Sequence, residues 1–121
     1  MADKRNLGLA KFEQLSPAGE EKLRTLLNDT APWIYDQVLE LAFGDLYQRK
    51  NLDLKIRQTV SLVALAISGH KDLLHIHVEI ARKFGFTKEE LSEIYQQLVP
   101  FTGFPAPMLG IQVVKSVFRE E

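Results

Sequence analysis

Three histidines lie close together in the sequence, at positions 70, 75 and 77. His75 and His77 are two residues apart, which on a helix places them about 200° apart around the axis. His70 and His77 share a side of such a helix but are separated by about 10 Å along it. Because these spacings do not converge on one ion, we expect no metal site, although two carboxylates from elsewhere in the chain could complete one.

His77 is the histidine best placed for acid–base chemistry. At helical spacing it shares a stripe with Leu73, Ile80 and Phe84, whereas His75 shares a polar stripe and is expected to face water. An imidazole on an apolar side is either a hydrogen-bonded core residue or a proton donor in a pocket, and the sequence leaves both open. Burial would lower its pKa, and a neighbouring carboxylate would raise it.

Arg57, Gln58 and Ser61 interrupt a segment that is otherwise apolar. The Arg needs an anionic partner there, because an unpaired buried charge is costly. That partner is either an internal carboxylate, such as Asp45 or Glu93, or a carboxylate of a substrate, which the guanidinium fork would bind. Gln58 and Ser61 would then be hydrogen-bond donors beside it.

Arg49 and Phe104 are two further candidates for binding a ligand. Arg49 is either a second fork for a carboxylate or a solvated charge at a helix end, where the dipole favours a cation. Phe104 lies in the rigid segment 103–105, Gly-Phe-Pro, and its ring either forms the wall of a pocket or packs in the core.

The composition excludes several classes of function. The 121 residues contain no cysteine, which rules out thiolate metal sites, cysteine nucleophiles and Cys-x-x-Cys redox chemistry. The formal net charge is −1, with acids and bases mixed along the chain, so we expect no nucleic-acid partner. The apolar stretch 60–67 is too short to span a membrane, and the polar N-terminus does not read as a secretory signal. We therefore expect a cytoplasmic protein that does not bind membranes.

The elements that must position these residues are helices, because the apolar spacing is helical nearly throughout. Six helices are expected, at about 17–27, 32–49, 54–68, 71–83, 88–98 and 106–119. The helix at 54–68 is apolar almost all round, which indicates a central, buried position. The apolar faces of the second and last helices are either internal core or a subunit interface. The length fits one domain over 1–121.

Ordered motifs over about residues 20–118 add a family resemblance. The first half of the pattern consists of Phe43-Gly44-Asp45-Leu46-Tyr47, Arg49, Leu52, Arg57, Val60 and Leu62. The second half consists of Leu74, His77, Gly85, Thr87, Glu90 and Gly103-Phe104-Pro105. At this spacing the chain resembles the carboxymuconolactone decarboxylase family. The resemblance implies an all-α, alkylhydroperoxidase D-like protomer that forms trimers or hexamers through helical faces, with active sites near subunit contacts.

The family pattern comprises two chemical branches. Alkylhydroperoxidase D-like members use two cysteines, a His and an upstream Glu, which fall here on His70, Leu73, His77 and Gln58. Three of these four groups are replaced, so thiol peroxidase activity is excluded. The other branch consists of cofactor-free decarboxylases that convert 4-carboxymuconolactone to an enol-lactone of 3-oxoadipate, and these commonly carry Glu where this chain has Gln58.

The resemblance therefore implies a cofactor-free decarboxylase of a small unsaturated lactone or related carboxylic acid, in aromatic degradation. The residues expected to act are His77, Arg57 and Gln58 in catalysis and Arg49, Ser61 and Phe104 in substrate binding. The alternative, prompted by the missing Glu at position 58, is an oligomeric protein that binds small ligands on the same scaffold without catalysis.

Overall fold

The computed structural model describes residues 3–119, which form helices and no β-strand, so the predicted all-α class is confirmed. The chain divides into two compact units, one up to Leu54 and one from Lys55 onward. That the chain is a single domain over 1–121 stays a prediction. In the part of the chain that the structure describes, no helix combines the length and the apolar character needed to cross a membrane.

The first unit consists of short helices joined by tight turns. Its elements are α1 (Lys4–Leu15), α2 (Pro17–Leu27), α3 (Pro32–Gln37), a π-helical turn (Val38–Phe43) and a 3₁₀ turn (Leu46–Gln48). Helix α2 begins at Pro17, directly after the Ser16 cap that the sequence indicates. The Ser16 hydroxyl accepts a hydrogen bond of 3.1 Å from the Gly19 amide, and Pro17 occupies the first helical position.

Helix α1 was not predicted, and its packing explains why it forms. Gly8 lies against the Leu39 backbone so closely that an added Cβ would overlap the Leu39 carbonyl oxygen. One turn further along, the Phe12 ring stacks on Phe43 with 4.1 Å between centroids. A glycine that reads as a helix breaker in the sequence is therefore the contact point of the helix.

The predicted helix 32–49 is only partly α-helical. Regular α-helical bonding ends at Gln37, and the chain continues as the π-helical turn and then the 3₁₀ turn. At Gly44, between the two turns, an added Cβ would overlap the carbonyl oxygen of Lys4 on α1. π-Helical turns are rare and usually a single turn long, and this one ends next to Gly44, where the backbone of α1 comes close.

A buried carboxylate ties α2 to α3. The Tyr35 hydroxyl donates a hydrogen bond of 2.6 Å to the Glu20 carboxylate, and both side chains are buried. Burial, reinforced by this hydrogen bond, raises the pKa of Tyr35 to about 12. The phenol therefore keeps its proton and remains a donor throughout the physiological pH range.

The second unit contains the helices on which the candidate catalytic residues lie. They are α4 (Leu54–Ser68), α5 (Lys71–Phe84), α6 (Lys88–Gln97), α7 (Val99–Thr102) and α8 (Pro105–Val117). The helices predicted near 54–68, 71–83, 88–98 and 106–119 are thus confirmed, with ends that shift by one or two residues. The short helix α7 lies where only a loop was expected.

One core, drawn from α4, α5, α6 and α8, holds this unit together. Its buried members include Leu62 and Ala66 from α4, Leu74 and Val78 from α5, Leu91 and Tyr95 from α6, and Val113 and Val114 from α8. The Tyr95 hydroxyl donates to the Leu62 carbonyl at 3.2 Å, which links α6 to α4. The Tyr95 ring lies so close to Gly110 that any side chain there would overlap it.

Helix α4 is not buried all round, which corrects one expectation. Leu62 and Ala66 face the core, whereas Ile56, Val60 and Ile67 on the far side are about half exposed. A helix that is apolar all round is typical of complete burial, whereas among residues 3–119 the burial of α4 is concentrated on the side of Leu62 and Ala66. The outer apolar stripe of α4 (Ile56, Val60 and Ile67) therefore stays accessible.

Candidate functional site

Gln58 is the most unusual polar side chain on α4. It lies one turn before Leu62 on the core face and is 3 % exposed. Within residues 3–119, neither its amide nitrogen nor its amide oxygen has a hydrogen-bond partner. Because a buried polar group without a partner costs about 1–3 kcal/mol, this amide is a position where a ligand or a water molecule would be stabilised.

Arg57, the preceding residue, is half-buried, and its Nε atom lies inside the fold. Of the two carboxylates considered as its internal partners, Asp45 belongs to the first unit. There Asp45 pairs with Lys4 at 3.4 Å and with Arg49 at 3.1 Å, and these cations hold the pKa of its carboxyl below the usual value.

Ser61 is half-buried one turn after Arg57 on α4. Its hydroxyl donates to the Arg57 carbonyl at 3.3 Å, the common bond of a helical Ser to the preceding turn. The hydroxyl proton is therefore engaged by the helix backbone, and Ser61 would have to leave this bond in order to donate to a substrate.

His77 lies on the side of α5 that the sequence indicates. It is half-buried on a stripe with the buried Ile80 and the partly exposed Leu73 and Phe84. Burial lowers the pKa of His77 below its usual 6.5, and no carboxylate of the described residues offsets that shift. The imidazole is therefore neutral at pH 7 in the free protein.

Gln58 and His77 lie on two helices that are consecutive in the sequence and share the core of the second unit. That the imidazole and the Arg57 guanidinium converge on one hollow stays a prediction. Four of the cavities that the described residues form have volumes of about 280 to 450 Å³, and these four are lined by residues other than Arg57, Gln58 and His77.

The other two candidate binding residues lie on the surface. Arg49, in the first unit, is exposed and donates from Nε to Asp45 at 3.1 Å, so it belongs to a surface ion pair. Phe104, just before α8, is 67 % exposed, so the alternative that it packs in the core is wrong. Its ring is accessible on the surface.

Sequence reasoning missed a second polar group, on another side of α5. Lys71, His75 and Arg82 recur at i, i+4 and i+11 and share one side of the helix, which is the signal that the sequence offers. The structure places them along cavities that are also lined by residues of α8. Among residues 3–119, no three carboxylate or imidazole side chains are grouped so that they could hold a metal ion.

The chain is similar in sequence to known bacterial proteins. The chain is 28 % identical over 123 aligned positions to an "Uncharacterized 15.0 kDa protein in nqo9-nqo10 intergenic region" of Paracoccus denitrificans, covering 91 % of this chain and 92 % of that protein. It is also 27 % identical over 94 positions to a 4-carboxymuconolactone decarboxylase of Acinetobacter baylyi, covering 78 % of this chain and 70 % of that enzyme.

The model of the Carboxymuconolactone decarboxylase family matches residues 32–116. The match begins at the first residue of α3 and includes the whole of α4 and α5, which carry Arg57, Gln58, Ser61 and His77. It omits α1 and α2, so the packing of Gly8 against Leu39 lies partly outside the shared region. A match over more than half of the sequence shows that the chain belongs to the carboxymuconolactone decarboxylase family.

Proposed function

We propose that this protein is a cofactor-free decarboxylase of a small unsaturated lactone acid similar to 4-carboxymuconolactone. The family membership and the likeness to the Acinetobacter decarboxylase support this reaction class. The observation that carries the proposal is the buried amide of Gln58, which has no hydrogen-bond partner among residues 3–119 and directly follows Arg57 in the sequence of α4. A cytoplasmic role in the breakdown of aromatic compounds is part of the same proposal.

The reaction needs no cofactor because the unsaturated lactone is its own electron acceptor. The bond between the ring carbon and one carboxylate breaks, CO₂ leaves, and the electron pair moves through the ring double bond to the lactone carbonyl oxygen. A proton then adds to a ring carbon to give the enol-lactone. The protein must hold any remaining carboxylate, donate a hydrogen bond to the developing oxyanion and deliver the proton.

Gln58 suits the oxyanion because its amide group offers N–H donors and carries no charge. In a buried position such a donor acts more strongly than in water, since the surroundings screen it less. A carboxylate at the same position would repel a negatively charged oxygen. The exchange of Glu for Gln is therefore compatible with a mechanism in which this position stabilises charge.

In this proposal Arg57 holds the remaining carboxylate and His77 delivers the proton. The guanidinium is permanently charged and can bind a carboxylate with two parallel hydrogen bonds. His77 is neutral in the free protein because burial lowers its pKa. An anionic substrate nearby would favour the imidazolium form, so the ring would take up a proton on binding and pass it to the ring carbon.

We further propose that the working form is a homo-oligomer, a trimer or a hexamer. Large apolar side chains are exposed in both units, including Trp33, Val60, Phe101, Phe104 and Met108. Apolar surface of this kind is commonly covered by another subunit. In this proposal, a hollow for the substrate beside Arg57 and His77 is completed by a neighbouring copy.

The direct test is to incubate the purified protein with 4-carboxymuconolactone and measure CO₂ release. We expect turnover by the unmodified protein, and we expect H77A to abolish it while the oligomer stays intact. H70A is the matched control, because His70 is exposed at the start of α5 and has no part in the mechanism. A correctly assembled but inert unmodified protein would reject the assignment.

A non-catalytic small-ligand-binding protein is the second candidate function. The observation that favours it is Gln58 itself, since family decarboxylases commonly have Glu there. Thermal unfolding in the presence of lactones and small dicarboxylates separates the two functions, because a binder is stabilised by a ligand that it does not convert.

A further inference from the structure

A groove between α5 and α8 is lined by basic side chains that the proposed decarboxylation does not use. It consists of two cavities of about 280 and 300 Å³ that share His75, Ser116 and Arg119. The first cavity is also lined by Glu79, Arg82 and Val117, and the second by Lys71, Gln112, Val113 and Lys115. The shared residues make the two cavities adjoining parts of one site, called here the basic groove.

Four basic side chains line the basic groove: Lys71, Arg82, Lys115 and Arg119. Among the described residues, none of the four forms an ion pair. Five other cations, namely Lys4, Arg5, Arg24, Arg49 and Lys55, form ion pairs with carboxylates. The whole chain has a net charge of −1, so the concentration of four cations along one groove does not follow from the overall composition.

The one carboxylate that lines the basic groove already has a partner. Glu79 Oε1 lies 3.0 Å from His75 Nδ1, one helical turn away on α5. This contact orients the imidazole and leaves its Nε2 atom for another partner. Glu79 supplies one negative charge against four cations along the lining, so the basic groove keeps an excess of positive charge that an external anion would offset.

Arg82 is held in place before any ligand arrives. Its Nη1 atom donates to the Val117 carbonyl at 2.9 Å, and its guanidinium carbon lies 5.9 Å from the centroid of the Phe118 ring. The guanidinium has five N–H donors in a fixed fork, so others are left for a ligand. A cation that is already immobilised loses less entropy when it binds an anion.

We propose that the basic groove binds a small polyanion of the diphosphate class. The second cavity alone, at about 300 Å³, reaches the size at which ordinary small-molecule sites begin. A diphosphate offers several charged oxygens to the arginine forks and the lysines. Ser116 and Gln112 add neutral donors. A dicarboxylate carries fewer charges and would offset only two of the four cations.

The test is isothermal titration calorimetry of the full chain with inorganic pyrophosphate, in parallel with adipate, at physiological ionic strength. We expect saturable binding of one pyrophosphate per chain and binding of adipate that is at least about tenfold weaker. The double substitution K115Q/R119Q is expected to weaken pyrophosphate binding by at least about tenfold, because each charged hydrogen bond contributes roughly that factor or more.

The matched control is K83Q/K88Q, which removes two exposed positive charges outside the basic groove. It is expected to change the affinity by less than about twofold, since exposed charges that do not line the site are largely screened at this ionic strength. The imidazole proton signals of His75 should move on titration, whereas those of His70 and His77 should not. Circular dichroism establishes that each variant is folded, and K71Q provides a second lining variant.

Three results would overturn the proposal. One is the absence of saturable heat with pyrophosphate. A second is adipate binding as tight as pyrophosphate binding, which would reject the diphosphate class. The third is an equal loss of affinity in K83Q/K88Q, which would show general charge attraction in place of a site. Because no groove residue takes part in the proposed decarboxylation, each outcome is independent of that reaction.

Discussion

The buried amide of Gln58 is expected to lower the stability of the fold while it serves the proposed reaction. Q58M keeps the length of the side chain but removes both polar atoms that lack partners. We expect the free energy of unfolding to rise by about 1–3 kcal/mol, because the desolvation cost of those atoms disappears. Turnover of 4-carboxymuconolactone is expected to fall to background, which CO₂ release would measure alongside urea unfolding.

Q97M is the control for this substitution. Gln97 is exposed at the end of α6, and surface changes of this kind stay within about 0.5 kcal/mol. If Q58M instead lowers the free energy of unfolding, the amide is hydrogen-bonded in solution and the main argument for a site on α4 is lost.

His77 makes the stability of the protein depend on pH in a defined direction. Burial lowers its pKa in the folded state below 6.5, so below that pH the unfolded chain binds more protons than the folded one. The free energy of unfolding therefore falls as the pH falls from about 7.5 towards the folded-state pKa, and this residue adds little slope above about pH 7.5.

H77Q is expected to flatten that part of the profile, measured by urea unfolding at a series of pH values from about 8 to 5. H70Q serves as the control, since His70 is exposed and its loss should leave the slope in place. An unchanged slope in H77Q would mean that the ring is solvated or paired with a carboxylate in solution.

The sequence predicts on which side of its helix His77 lies, but it does not predict that the buried amide of Gln58 lacks a hydrogen-bond partner. The spacing of Leu73, Ile80 and Phe84 is a property of one helix, and it predicted correctly that His77 faces the apolar side. Whether an amide finds a partner depends on the neighbouring helices that surround it. A single-helix pattern does not contain that information.

At the scale of elements, the contact between α6 and α8 depends on a residue without a side chain. The Tyr95 ring is fully buried against Gly110, where a Cβ would overlap three of its ring carbons. We expect G110A to lower the free energy of unfolding by about 1–3 kcal/mol, although alanine favours helices, because the core cannot absorb the added methyl group without moving the ring.

Thermal unfolding of G110A beside Q112A measures this effect. Gln112 is exposed on the same helix, so its substitution reports helix propensity alone and should be neutral or slightly stabilising. A G110A protein as stable as Q112A would show that Tyr95 has room to move.

Helix boundaries were predictable where local signals were strong. The Thr87–Glu90 capping box is present in both directions, at 3.0 and 2.9 Å, and α6 begins where it indicates. In the first unit, by contrast, α1 and the π-helical turn depend on the close approach of Gly8 and Gly44 to other backbone segments. Such tertiary contacts override local patterns, and the sequence alone does not reveal them.

At the scale of the whole molecule, the outer apolar stripe of α4 gives a test of the proposed self-association. We expect sedimentation equilibrium to return a multiple of the 13.8 kDa chain mass. V60E places a charge in the middle of this stripe, where Val60 is 58 % exposed, and should shift the protein towards the monomer because burying a charge is costly.

T25E is the control for V60E, because Thr25 is exposed on α2, far from α4 in the sequence. It should leave the assembly unchanged. A monomeric unmodified protein would contradict the proposal, and an intact oligomer in V60E would show that the stripe is not part of the interface. Apolar periodicity cannot distinguish a face that packs internally from one that a second chain covers. The sequence alone therefore predicts neither the oligomeric state nor the face that would form the interface.

Trp33 gives the molecule a spectroscopic reporter of its own. It is the sole tryptophan of the chain and is 70 % exposed at the first turn of α3. Its fluorescence should therefore peak at long wavelength in a dilute solution and be quenched readily by iodide. A blue shift that grows with protein concentration would then reveal, without any label, that neighbouring molecules shield the indole.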